Sequence, residues 1–456
     1  MQHKLFIIFL IISYNTYSQF GPQKIITESA NGTRVIFSAD LDGDGDLDIM
    51  SANKFGSSLT WYRNLDGYGT FGPENLIAIL DQTIWISAAD LDGDGDMDVL
   101  AVSGPQNRVA WYENLDGQGN FSSLKSINGG ADGASCVIAE DLDGDGDLDA
   151  ISAADLSNTI AWYENTDGQG DFSNAKIIDN TIGSPRFVMS ADMDGDGDLD
   201  VLGNGSSPLI AYWMENMDGQ GTFGTRHVIT DSGAYLNVVF AADVDNDGDM
   251  DVFSASPADK EVAWYENLDG LGNFGSKNSI TSTLIDAWTV FVADLDNDGD
   301  NDVLATNADP FGGEVVWFEN LDGLGSFSTK KIISTEVQSP RSVIAADIDN
   351  DGDMDVISSS QNDDKIAWYE NLTIIGIEEN QLDNIKIYPN PTTRLIFIES
   401  KTENILGATI FDILGKNVLQ EIGNIQEMDI SHLQSGMYFL RIKTDSGEFV
   451  QKIIKE

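Results

Sequence analysis

The sequence predicts an all-β protein, a seven-bladed β-propeller followed by a small β-sandwich. Three observations carry the prediction. An acidic block recurs seven times at spacings of 50 to 53 residues, a Trp-Tyr block follows each copy, and after Leu372 both stop while short alternating apolar runs continue. A period of this length, punctuated by Gly, Asn and Asp, suits four short strands and tight turns repeated around an axis.

The acidic block reads Asp-x-Asp-x-Asp-Gly-Asp-x-Asp. Its copies comprise Asp40, Asp42, Asp44, Asp46 and Asp48; Asp90, Asp92, Asp94, Asp96 and Asp98; Asp141, Asp143, Asp145, Asp147 and Asp149; and Asp192, Asp194, Asp196, Asp198 and Asp200. The remaining three comprise Asp243, Asp245, Asp247, Asp249 and Asp251; Asp294, Asp296, Asp298, Asp300 and Asp302; and Asp347, Asp349, Asp351, Asp353 and Asp355. The second block begins at Trp61, Trp111, Trp162, Trp213, Trp264, Trp317 and Trp368, and its seven Trp are expected to pack between blades. A third element, Phe-Gly or Phe-Ser, precedes an apolar run at Phe71, Phe121, Phe172, Phe223, Phe274 and Phe327. In the second unit this gives strands at Trp85–Ala89, Asp98–Val102, Val109–Asn114 and Phe121–Ile127.

The ends of the repeat argue for a closed ring. No Phe element follows Trp368, so the seventh unit lacks a fourth strand, whereas an extra Phe element stands at the N-terminus in Phe20–Ile26. A ring that borrows its last strand from the N-terminus leaves no open sheet edge.

Five carboxylates within nine residues repel one another unless a cation joins them. Oxygen-only donors on a tight irregular loop suit Ca²⁺, with Asp at positions 1, 3, 5 and 9 turned inward and Gly at position 6 making the turn. Position 7 is expected to offer its backbone carbonyl while its side chain supports the loop from outside. The loop is not an EF-hand, because position 12 is Ser51 or an equivalent small residue rather than Glu. The blocks hold 7 × 5 = 35 of the 76 acidic residues, and about seven structural Ca²⁺ would move the net charge from −52 to −38. With 24 Lys and Arg against those acids, nucleic acid is excluded as a partner.

The Asp blocks, the Phe-Gly elements and the period resemble the FG-GAP-like (VCBS) repeat family, over roughly Phe20 to Leu372. The resemblance implies a calcium-loaded seven-bladed propeller like that at the head of integrin α-chains.

Domain boundaries follow. Residues 1–18 read as a signal peptide, with Lys4, the apolar run Leu5–Ile12 and a cleavage site near Ser18. The propeller occupies 19–372, a linker 373–384 and the final domain 385–456. Residues 380–456 carry 8 basic and 10 acidic residues, a net of −2 against −50 for the rest. Alternating runs at Leu395–Glu399, Ala408–Ile413, Met437–Ile442 and Phe449–Ile453 suggest the sandwich. The motifs Ile387-Tyr388-Pro389-Asn390-Pro391, Asp412-Ile413-Leu414-Gly415-Lys416, Gly436-Met437-Tyr438 and Gln451-Lys452-Ile453-Ile454 resemble the type A sorting domain of the type IX secretion system. That resemblance implies contact with the secretion machinery, passage across both membranes of a Gram-negative cell, and a secreted or surface location. No later segment is long enough for a transmembrane helix.

Candidate catalysts are few. His3 lies in the signal peptide, His432 in the last domain, and His227 in an ordinary fourth strand; Cys136, the single Cys, sits in a first strand and reads as a core residue. Function is expected where units differ, in the connections opposite the Asp loops. Trp85, Trp288, Arg34, Arg186, Tyr235 and Arg341 are the candidate ligand-binding residues, with Trp85 and Trp288 as anchors because they alone among nine Trp fall outside the repeated block. The reading is a non-catalytic calcium-binding adhesion module for an unknown glycan or protein. Its alternative is a polysaccharide-degrading hydrolase or lyase on the same scaffold.

Overall fold

A computed structural model describes residues 19–127, 131–231, 235–373, 385–400, 404–411, 417–423, 425–434, 436–444 and 448–455. The expected signal peptide and most of the expected linker lie outside them. No helix among the described residues is long and apolar enough to cross a membrane.

Every repeat forms a four-stranded antiparallel sheet. In the first blade the strands are Thr33–Ala39, Asp48–Asn53, Ser58–Asn64 and Phe71–Ile79, counted from the axis outward. The second strand is buried at every position, in Asp48–Asn53 as in Asp98–Ser103 and Asp355–Ser360, because a neighbouring blade covers each face. That explains continuous small and apolar runs where a one-sided strand would alternate. The outermost strand is half exposed and mixes Lys and Glu with apolar residues.

Blades pack through the repeated Trp. Trp111, Trp162, Trp213 and Trp368 are almost fully buried. Gly119, in the turn after the third strand of the second blade, sits on Trp61 of the first; a Cβ there would lie 2.3 Å from the indole, and its φ of +76° also favours glycine.

The N-terminal segment closes the ring. Lys24–Thr27 pairs antiparallel with Lys365–Tyr369, Lys24 opposite Trp368, and Phe20 bridges to Asn371. Phe20 packs edge-on against Trp317 at 6.0 Å, as the equivalent Phe172 does against Trp111 at 6.2 Å. The innermost strand of the seventh blade, Pro340–Ala346, packs beside Thr33–Ala39 of the first.

One expected strand is shorter than its apolar run. The fourth strand of the second blade is Lys125–Ile127, with Phe121 making only an isolated bridge to Asn114. The Ser122 hydroxyl accepts the Glu113 N–H at 3.0 Å, a bond a regular ladder would give to a carbonyl, and Ser173 and Ser328 do the same; the fifth blade, with Gly275 in this place, has a similarly short fourth strand, Asn278–Thr281.

The C-terminal unit is separate. Ile385–Tyr388, Leu395–Ser400 and Glu427–Asp429 form one sheet; Asn417–Ile422, Ile405–Phe411, Gly436–Thr444 and Glu448–Lys455 form the other. Ile396, Ile398 and Met428 from the first meet Ile410, Leu440 and Ile442 from the second in a shared core. It is a β-sandwich.

Removing residues 19–27 should expose Lys365–Tyr369 as an unpaired edge. We expect a lower melting temperature and concentration-dependent oligomers in size-exclusion chromatography. A stable monomer would show that the ring does not need this strand.

Candidate functional site

Each Asp loop joins the first and second strands of its blade, and its backbone donors fix the carboxylates. In the second blade Asp90 accepts the N–H groups of Gly93, Asp94 and Gly95 at 2.8, 3.1 and 3.0 Å, and Asp94 accepts that of Asp96 at 2.9 Å. Gly95 has φ +95° with nothing near its missing Cβ, so conformation alone demands glycine there. Asp98 is buried, and its two oxygens accept Leu91 N–H at 3.2 Å and Asn114 N–H at 2.7 Å.

These bonds leave some oxygens over. Oδ1 of Asp92, Asp143, Asp245, Asp296 and Asp349, all at position 3, is buried without a hydrogen-bond donor. Carboxylate oxygens of Asp40, Asp42 and Asp48 lie within 4.8 Å of one another, as do those of Asp90, Asp92 and Asp94, and of the matching residues in later blades. An orphaned carboxylate oxygen beside other carboxylates fits a hard, oxygen-seeking cation. The loops can therefore hold metal ions. The position 7 side chains serve neighbouring loops: Asp46 accepts the Asn350 amide at 2.9 Å and Asp300 that of Asn246 at 2.8 Å.

Burial raises the position 3 and position 9 carboxyls. Asp98, Asp149, Asp200 and Asp251 are pushed up to about 7 and Asp302 to about 8, first by burial, although backbone N–H donors pull each of them down. Asp92 is raised by burial, then by Asp94 and Glu113.

Glu113 belongs to a second repeated device that the sequence reading missed. Lys125 lies over Trp111, 4.1 Å from the ring centre, and pairs with Glu113 at 2.5 Å. Lys176 and Lys331 repeat the arrangement on Trp162 and Trp317, and Lys24 on Trp368. His227 takes the same place in the fourth blade, stacked on Trp213 at 4.4 Å and 3.7 Å from Glu215. A Lys or His 14 residues after the Trp in four units was the available signal.

The first blade departs from this pattern. Arg63 stands where the other six have Glu, with Nε 2.5 Å from Asp42 and Nη2 2.8 Å from Asp44. This loop carries its own cation.

At the opposite end, a cavity of about 380 Å³ lies on the propeller axis. Arg34, Ile84, Ser135, Arg186, Asn237, Trp288 and Arg341, each six residues before its Asp block, all line it. The register shifts at Arg34, Ile84, Ser135 and Arg341, a bulge at the start of the innermost strand. Trp85 thus lies on the innermost strand expected to begin with it, and Trp288 on an innermost strand rather than in a connecting loop. Trp85 packs edge-on against Phe187 at 5.3 Å, and Trp288 carries Arg341 at 3.9 Å and Arg34 at 4.9 Å over its ring. Arg186 lies 5.2 Å from the Tyr235 ring. The six ligand candidates named from the sequence therefore gather at one mouth. Cys136 does not join them: it is buried, its thiol pushed up to about 12 by burial.

Comparison with known proteins agrees with this architecture. The FG-GAP-like repeat model matches six overlapping stretches from Asp40 to Ser358, well over half of the chain. The chain belongs to the FG-GAP-like repeat family. The secretion system C-terminal sorting domain matches residues 386–456, so this FG-GAP-like protein carries the tail that directs type IX export to the cell surface or beyond. Ulvan lyase NLR42 of Nonlabens ulvanivorans is 21% identical over 261 residues, 56% of this chain and 42% of the relative, so the match spans well under half of that protein. A crystal structure of BBS1N in complex with ARL6DN covers 79% of this chain and 99% of its own at TM-score 0.56 and 12% identity, which is likeness of fold. The extracellular domain of a hybrid two-component system, BT4673 from B. thetaiotaomicron, covers 97% of this chain and 60% of its own at TM-score 0.49 and 11% identity.

The raised position 9 carboxyls set a pH dependence. A carboxyl higher in the folded than in the unfolded state stabilises fully below the unfolded value near 4, and that contribution is lost as pH rises through about 7 to 8. In chelator, the melting temperature should therefore fall between about pH 5 and pH 8, and Asp98→Asn should flatten the slope. A melting temperature that rises over this range in chelator would contradict the assignment.

Proposed function

We propose that this protein is a non-catalytic, calcium-stabilised binding module of the cell surface or the secreted fraction, taking a glycan or protein ligand at its axial mouth. One observation carries the reading: the two ends of the ring are built differently. The Asp-loop end repeats the same carboxylates in every blade and offers little to tell partners apart. At the axial end seven equivalent positions hold Arg, Ile, Ser, Arg, Asn, Trp and Arg, and the described cavity lining contains no Asp, Glu, His or Cys. Such a lining suits recognition better than acid–base chemistry.

The likeness to an ulvan lyase favours a second reading, a polysaccharide-degrading enzyme on this scaffold. Incubating the full chain with acidic and neutral polysaccharides separates the two. Binding without new chain ends supports the module; release of shortened or unsaturated products supports the enzyme. A glycan and protein array, with and without Ca²⁺, names the ligand.

The orphaned position 3 oxygens support Ca²⁺ in the loops, held by Asp at positions 1, 3, 5 and 9. Arg63 already neutralises part of the first loop, so we expect six tight sites and one weak one by calorimetric titration, rising to seven tight sites in Arg63→Glu. Chelator should lower the melting temperature by several degrees, because binding free energy adds to folding free energy. A melting curve indifferent to chelator would remove Ca²⁺ from the account.

A further inference from the structure

We infer that the axial mouth is an oxyanion site, which takes a sulfated or carboxylated sugar unit of an acidic glycan. The inference rests on the binding-module reading and names the ligand class for that site. Arg34, Arg186 and Arg341 occupy three of the seven equivalent positions around the axis, in a chain with only 24 basic residues against 76 acidic ones. Lys54, nearby, is shifted downward first by its burial and then by these same three arginines. Four cations thus gather in a protein whose net charge is −52.

Their counter-charge is incomplete. Arg341 donates from Nε to Gln361 at 3.1 Å, and its buried Nη1 lies 3.7 Å from Asp286 Oδ2, at ion-pair but not hydrogen-bond distance. Among the described residues, neither Arg34 nor Arg186 has a carboxylate at ion-pair distance. Burial lowers Arg34 to about 10, with Arg341 and Arg186 adding to the effect. Charges drawn together out of water cost free energy unless an anion joins them. Among the described residues the fold gives only Arg341 a carboxylate at ion-pair distance, Asp286, and none to Arg34 or Arg186, while Trp288 holds Arg34 and Arg341 in place to receive an anion.

Size and lining select a sugar. A cavity of about 380 Å³ falls at the small end of ligand sites, too narrow for a folded surface. Ser135 and Ser342 place hydroxyl groups in the same lining as the arginines, the Asn237 amide being held between Tyr235 and the Trp288 carbonyl, and Phe37, Phe240 and Phe291 form an apolar wall. A ring bearing hydroxyls, an apolar face and one acid group matches all three surfaces. An acidic peptide side chain would use only the arginines.

The test measures binding of the full chain, in Ca²⁺, to dextran sulfate, polygalacturonate, neutral dextran and polyglutamate. We expect binding to one or both acidic polysaccharides, weakened by high salt, with little for dextran or polyglutamate. Which of the two binds distinguishes sulfate from carboxylate. Arg34→Gln and Arg186→Gln should each weaken binding about tenfold or more, as loss of a charge-assisted contact does, and Arg341→Lys should weaken it less. Should a variant fail to fold, competition on the unaltered chain decides: sodium sulfate should release the polysaccharide better than sodium chloride of equal ionic strength. Polyglutamate binding with the same Arg dependence would overturn the glycan assignment. Binding to dextran alone, or binding unmoved by the Arg variants and by sulfate, would overturn the oxyanion site while leaving a binding module. No binding to any probe here or on the array would remove both.

Discussion

Each blade is tied to the next by one asparagine, and the rest of the propeller depends on that tie. Asn114 gives its backbone N–H to Asp98 of its own Asp loop at 2.7 Å, and its side-chain amide reaches the Leu41 carbonyl of the preceding blade's loop at 2.9 Å. Asn165, Asn216, Asn267, Asn320 and Asn371 repeat the side-chain reach, and Asn64 closes the circle on Ile348. The buried position 9 carboxylate is therefore bonded both to its loop and to the residue that grips the preceding blade's loop. Whatever neutralises the loop also holds the blades in register.

This coupling divides the molecule into two ends. On one, every unit must present nearly the same residues, because a change in one loop is felt by its neighbour. On the other, one residue per blade lines the axial cavity, in four blades at a bulge that opens the innermost strand, and nothing in the coupling fixes its identity. Arg34, Trp288 and Arg341 can therefore differ from Ile84 and Ser135 without disturbing the ring. Stability and recognition are carried by different ends of the same strands.

Much of this was legible in the sequence because repetition supplies its own comparison. The Asp blocks, the Trp between blades and the strand borrowed from the N-terminus were readable from what recurs and what is missing at the ends. The six mouth residues were named from divergence, but their setting was only partly read: a bulge at an innermost strand leaves no mark in composition, so Trp288 read as a connection residue, while Trp85 was already set at the start of a strand. Two other features were hidden for different reasons. The Lys–Trp–Glu stack spans two strands and emerges only when Lys125 is set against Trp111 in register. Arg63 is a single change in the Trp-Tyr block, and only the structure shows its guanidinium among the loop carboxylates.

The central claim is that loop neutralisation and blade register are one event. Hydrogen exchange at the backbone amides of Asn64, Asn114, Asn165, Asn216, Asn267, Asn320 and Asn371 tests it most directly, since each donates to a position 9 carboxylate. With Ca²⁺ present all seven should be strongly protected, and on chelation they should lose protection together, Asn64 least because Arg63 stays in its loop. If chelation leaves these amides protected, or frees the loops while the seven amides hold, the cation does not hold the ring and the account fails.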